Sequence, residues 1–218
     1  GNYEIKHDAS GSSYNDPDKY IKHGKLLEKA YNDEHDEFLK NRYAFYCAQS
    51  YKDCSNFDKA IKWYNIVLNQ KNNWVQEKYY SCLMMGKLFF IKGKEFYLDA
   101  ILQLEKGIKI DDSRPECISY LMEYYYINHA YGHVMSWYYF FISTKMNDKI
   151  KNSNPCDKLF LDSSRFYYIY YYASICAYYV NYIDAGAQAI RFLVDHKDKL
   201  PEFMKEIVFR NRFFYIKD

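Results

Sequence analysis

Residues 42–70 read RYAFYCAQSYKDCSNFDKAIKWYNIVLNQ, two helical stripes joined by a short polar turn. Ala48 precedes Ala60 by twelve residues, Tyr51 and Phe57 follow Ala48 by three and nine, and Tyr64 follows Ala60 by four. This is the spacing of a helix hairpin, in which small residues let two helices approach and aromatic residues fill the wedge beside them. The pattern returns. Gly86 stands 38 residues after Ala48, Met122 stands 36 after Gly86, and Val134 lies twelve beyond Met122. Ala173 and Ala185 repeat the twelve-residue step once more.

Residues 1–17 carry Gly11, a serine cluster and the turn Asn15-Asp16-Pro17, with one short extended possibility at Tyr3–His7, and read as a linker or the end of a preceding domain. From Asp18 a stripe of Ile21, Leu26, Leu27 and Ala30 predicts a helix ending near Asn32, and NDEHDE follows as a solvated connector. The first hairpin is expected at Asn41–Asp53 and Asn56–Asn69, with Ser55 or Asn56 as the N-cap. The second starts near Trp74, breaks at Gly93 and resumes with Phe96, Ala100, Leu104 and Ile108; the third starts after Asp112 and Ser113, with Pro115 in its first turn. Lys145–Ser164 reads as a polar loop, then comes a fourth hairpin and a closing helix from Pro201 to Tyr215. The expected fold is all-α: residues 18–218 as one tetratricopeptide-like, right-handed α-solenoid of about four hairpins plus flanking helices, roughly ten helices in all.

A hydrophobic fraction of 49% over 218 residues excludes general disorder, and 30 basic against 28 acidic side chains give no phosphate-tracking surface, so nucleic acid is not expected. Six cysteines without C-x-x-C spacing predict reduced, mostly buried thiols and a cytoplasmic location. The most apolar window, Phe166–Val180, is 15 residues with seven tyrosines, too short and too hydroxyl-rich for a bilayer span. The 27 tyrosines, with abundant Lys, Asn, Ile and Phe, fit an A/T-biased coding genome such as that of a giant virus or an A/T-rich microbe.

Five strings occur in order: RYAFYCAQSYKDCSNFDKAIKWYNIVL at 42–68, NNWVQEKYYSCLMMGKL at 72–88, SRPECISYLMEYY at 113–125, CDKLFLDSSRFYYIYYYASICAYYV at 156–180 and LPEFMKEIVFRNRFFY at 200–215. Together they resemble the helical region that follows the catalytic domain in a group of family 2 glycosyltransferases. The opening IKHDASGSSYNDPDKYIKHGKLLEKAY looks like the join between that domain and its first helix. At Asn181 the family pattern leads to an expectation of Gly or Arg. The resemblance implies a domain of a nucleotide-sugar transferase, or a free-standing relative, without its nucleotide-binding α/β domain. Asp16-Pro17-Asp18 has the literal Asp-x-Asp spacing of the family's metal motif, but it precedes a helix instead of ending a strand. Asp111 and Asp112 read as a capping pair.

No nucleophile elbow, P-loop, dinucleotide fingerprint or zincin string is present, so no catalytic residue, cofactor or metal is expected. His129 and His133 are four apart, yet Ala130-Tyr131-Gly132 between them reads as a turn that spoils a shared metal-binding face. His7, a possible diphosphate or metal ligand in a complete transferase, reads here as an ordinary exposed imidazole. Ser163 reads as the cap of a helix starting near Arg165. Trp63, Trp74 and Trp137 offer faces that could stack on sugar rings, but Trp63 and Trp74 read first as wedges between repeats. The binding surface is expected on the first helices of the hairpins, at Arg42, Gln49, Lys52 and Asp53, then Lys87, then Glu116, Ser119, Glu123 and Tyr126, then Tyr167, Tyr170 and Ser174. Its mixed charge and many hydroxyls suit a protein segment, a glycan acceptor or a glycosyltransferase catalytic domain. Three readings follow: a non-catalytic glycosyltransferase domain that positions acceptor or partner, a stand-alone repeat scaffold, and an enzyme with an unfamiliar glycan-modifying site.

Overall fold

The computed structural model describes residues 16–215, so His7 and most of the 1–17 segment lie outside the described residues. Eleven α-helices and four short 3₁₀ turns make up the described chain, with no strand among them. It divides into two compact units, residues 1–81 and 82–218.

In the first unit α1 (Lys19–Asp33) packs on α2 (Glu37–Asp53), and α2 packs on α3 (Phe57–Asn69). The connector is short because its acidic residues close it: Glu34 accepts from the amides of His35 and Asp36, and Asp36 caps α2 by accepting from Leu39 N at 2.9 Å. That cap starts α2 four residues before the expected Asn41. Asn56, not Ser55, caps α3 through Lys59 N at 3.3 Å. Ala44, Ala48 and Ala60 are fully buried, as close helix contact requires.

The expected stripe of α1 needs correction. Ile21 and Leu26 are exposed, whereas Gly24 is buried, because Tyr51 lies so close that a Cβ on Gly24 would sit 2.9 Å from its Cζ. The absent side chain, rather than the leucines, sets which face of α1 meets α2. Trp63 also turns back toward α1, where its indole N–H donates to Glu28 Oε1 at 3.1 Å and its ring meets Tyr31 edge-on. The first turns of α4 (Val75–Lys92) close this unit through Arg42, which pairs with the buried Glu77, and through Phe45, which meets Tyr80.

In the second unit the later turns of α4 pack on α5 (Tyr97–Ile110), with Gly86 against Leu104 and Cys82 beside Gly107. The chain continues through α6 (Glu116–Ile127), α7 (Tyr131–Ser143), α8 (Met146–Asn152), α9 (Arg165–Tyr179), α10 (Ile183–Asp195) and α11 (Glu202–Asn211). Sequential helices α5 to α8 and α9 to α11 pack as neighbours, and α9 also lies against α6 and α7. Residues 145–164, expected as a polar loop, contain α8, and its Met146 is fully buried beside α7. Ser163 does not cap α9: Asp162 Oδ1 takes both the amide and the hydroxyl of Ser164. Tyr182, placed in the repeat register by sequence, is exposed.

Three hairpin turns share one backbone device. Ser55, His129 and Asn181 adopt φ of 60°, 57° and 58°, and the amide after each reaches back to Tyr51, Tyr125 and Ala177 carbonyls at 2.9, 2.9 and 2.8 Å. This paired closure ends a helix with one left-handed residue and satisfies its last carbonyls. Gly93, with φ 134°, makes the corresponding break after α4. Asn tolerates the left-handed region, so Asn181 fills a position where glycine is the commoner choice.

Candidate functional site

The site with the most developed chemistry lies in the second unit, on the faces of α4, α5 and α6. Phe90, Tyr97, Tyr120, Glu123, Tyr124 and Ile127 surround a cleft of about 220 Å³ that is mostly apolar. The spacing Lys87, Phe90, Ile91 on α4 and Tyr120, Glu123, Tyr124, Ile127 on α6 puts each set on one helical face, three and four residues apart. Phe90 and Tyr124 stack at 4.9 Å and 14°, and Tyr97 meets Tyr124 edge-on at 5.0 Å, making a fixed three-ring wall. Ile127 on its border is 64% exposed, and Ile91, next to Phe90 in the chain, is 63% exposed.

Beside this wall the charges are ordered. Lys87 Nζ lies 4.6 Å from the Tyr120 ring centre and donates to its hydroxyl at 3.0 Å. Arg165, at the start of α9, stacks 3.7 Å from the Tyr120 ring centre and 4.3 Å from that of Tyr168, and donates to Glu123 Oε2 at 2.5 Å. The guanidinium is thus held between two rings and a carboxylate, which fixes Tyr120 and Glu123 without spending their outer faces. Burial pushes the hydroxyls of Tyr124 and Tyr168 above the ordinary phenol value, and burial with Glu123 beside it pushes Tyr172 well above. These phenols stay protonated at neutral pH and serve as stacking and hydrogen-bonding groups, not as phenolate nucleophiles or bases.

Of the residues singled out by sequence, Lys87 and Glu123 belong to this constellation, and Tyr126 lies next to it against Tyr172, ring centres 5.2 Å apart. Four others are buried and offer no side chain to a surface: Glu116, Ser119, Tyr170 and Ser174. Glu116 is occupied by Arg114, Tyr170 donates to Asn147 Oδ1 at 2.9 Å, and Ser174 donates to Tyr171 O at 2.8 Å. Their faces turn inward because α6 and α9 pack against each other and α9 against α7 and α10. Tyr167 is half-buried against Phe192. In the first unit, Arg42 is held by Glu77 and Tyr46, while Gln49 and Asp53 both engage Lys52 at 2.9 and 3.1 Å.

Phe90, Tyr97, Tyr120, Tyr124 and Arg165 were missed by sequence reasoning. The tyrosine excess hid them, although the i, i+3, i+4 spacing of Tyr120, Glu123 and Tyr124 was a signal. His129 and His133 do not converge: His129 sits in the left-handed turn with Nδ1 2.8 Å from the Tyr131 hydroxyl, and His133 stacks on Tyr125. Asp16 accepts from Asp18 N and pairs with Lys22 at 2.7 Å, anchoring the start of α1. Asp111 accepts from Ser113 N at 3.0 Å and pairs with Lys158 at 2.9 Å, and Asp112 pairs with Lys149. Trp74 is 47% exposed and Trp137 meets Phe140 edge-on.

No group of three His, Cys, Asp or Glu among the described residues could hold a metal ion, and no described helix is long and apolar enough to cross a membrane. No protein-family model, curated protein or solved structure matches the chain.

Proposed function

We propose that this chain is a non-catalytic helical repeat domain of the glycosyltransferase-associated type, a tetratricopeptide-like α-solenoid that holds an acceptor glycan beside a separate nucleotide-sugar transferase domain. The resemblance in the five ordered strings motivates the transferase context. The observation that carries the binding role is the three-ring wall of Phe90, Tyr97 and Tyr124, flanked by Lys87, Tyr120 and Glu123. An aromatic face matches the C–H face of a pyranose, and fixed hydroxyl, ammonium and carboxylate groups around it match the ring hydroxyls. The Tyr124 hydroxyl, kept protonated by burial, contributes recognition and no group-transfer chemistry.

A glycan-array screen followed by calorimetric titration tests this. The chain is expected to bind oligosaccharides saturably, with affinity falling about tenfold or more in Tyr124→Ala, and to show no sugar transfer when supplied with nucleotide sugars. A second reading is favoured by the exposed Ile91 and Ile127, which suit apolar side chains better than sugars: a stand-alone scaffold that takes an extended protein segment. Under that reading peptides, and not glycans, compete for the same cleft.

A further inference from the structure

The second unit holds another cavity, of about 480 Å³, bordered by Ser113 and Pro115 just before α6, the end of α8, the first turn of α9 and the segments following α8 and α10. It shares no lining residue with the aromatic cleft. Leu161, Phe166 and Tyr167 are among its apolar and aromatic lining residues, and Lys151, Lys199 and Ser163 among its polar ones. No carboxylate lines it. The acidic side chains around α6 are already engaged, Asp111 by Lys158, Asp112 by Lys149 and Glu116 by Arg114.

Lys151 and Lys199, by contrast, are exposed and pair with no carboxylate among the described residues. Lys151 instead lies over the rings of Phe166 and Phe192, at 5.9 and 5.2 Å from their centres. A cation over an aromatic face keeps most of its capacity for an anion, since that attraction is weaker than a charge-assisted hydrogen bond. His196 borders the cavity with its ring stacked 4.2 Å from that of Phe192, and its Nδ1–H donates to Phe192 O at 2.8 Å. That bond fixes the ring and leaves Nε2 as its remaining polar atom.

We infer that this cavity binds a small phosphomonoester with a flat apolar body, its dianionic head on Lys151 and Lys199 and its body against Phe166 and Tyr167. Two uncommitted cations match a dianion, and the adjoining aromatic side gives the body a partner that free phosphate could not use. The inference is independent of the glycan-binding reading and concerns different residues.

Titration of the whole chain with phenyl phosphate, monitored by calorimetry and by NMR shifts, tests it. Inorganic phosphate and benzyl alcohol serve as the head-only and body-only arms. Phenyl phosphate is expected to bind saturably and about tenfold or more tighter than either arm. The double variant Lys151→Gln/Lys199→Gln is expected to weaken it by about tenfold or more, while Lys149→Gln, whose ammonium is engaged by Asp112, leaves it unchanged. Both lysines are exposed, so circular dichroism should show an unaltered fold. Absence of saturable binding, equal binding of inorganic phosphate, or equal affinity in the double variant would overturn the inference.

Discussion

Replacing Glu116 by alanine probes the buried ion pair at the start of α6 in the second unit. Arg114 is 0% exposed and Glu116 1%. The guanidinium meets the carboxylate through two nitrogens, at 2.5 and 3.3 Å, and donates to Leu159 O at 2.9 Å; Glu116 Oε1 also accepts from Asp162 N at 3.1 Å. The pair therefore fastens the 158–162 segment to the first turn of α6. In Glu116→Ala the buried guanidinium loses the Glu116 carboxylate and the Asp162 amide loses an acceptor. Breaking a buried pair from one side costs about 3–5 kcal/mol, a fall of about 6–20 °C in Tm for a chain of this size. The reference variant is Arg114→Met/Glu116→Leu, which removes both charges and should recover most of that loss, since a buried ion pair is worth little against an apolar replacement. Urea unfolding followed by circular dichroism, with calorimetry for Tm, measures both. A loss below about 1 kcal/mol in Glu116→Ala, or a double variant as unstable as the single one, would refute the reasoning.

Other perturbations bear on the first unit and on the thiols. Burial raises the Glu77 pKa above 4.5 despite Arg42, and its Oε2 has no hydrogen-bond partner. The folded state therefore keeps a proton that the unfolded chain has already released, so this group's contribution to stability declines as pH rises from 4.5 toward the raised value. Glu77→Gln should flatten the fall of the urea midpoint above pH 4.5, and an unchanged pH profile would contradict this. Burial pushes Cys47, Cys82 and Cys176 to about 12, whereas Cys156 is exposed. Mass spectrometry of iodoacetamide-treated native protein should find Cys156 modified first and those three protected until unfolding. Ser55→Gly should stabilise by about 1 kcal/mol through relief of its left-handed backbone, seen as a higher urea midpoint.

The helices and most of their ends were legible because Ala48, Ala60, Ala100, Ala173 and Ala185 mark contact faces that the structure buries. The caps were partly legible: Asn56 is a short side chain at the right place, but Asp36 reads as solvated connector because its acidic neighbours dominate the local composition. The turns at Ser55, His129 and Asn181 carry no glycine, so the shared backbone device left no mark in composition. Burial was the hardest property to read. Glu116, Ser119, Tyr170 and Ser174 are polar residues on apolar-flanked helices, and only the packing of α9 against α6, α7 and α10 decides that they face inward. The cleft depended on the same long-range contacts: Tyr120 and Glu123 are one turn apart on α6, but Arg165, 42 residues beyond Glu123, holds both.

The most direct trial of the glycan-holding role is to titrate the chain with acceptor oligosaccharides while supplying nucleotide sugars, for both the natural sequence and Tyr124→Ala. Saturable glycan binding that disappears in the variant, with the nucleotide sugar recovered intact, is the expected result. Sugar transfer by this chain alone, or glycan binding indifferent to Tyr124, would contradict it.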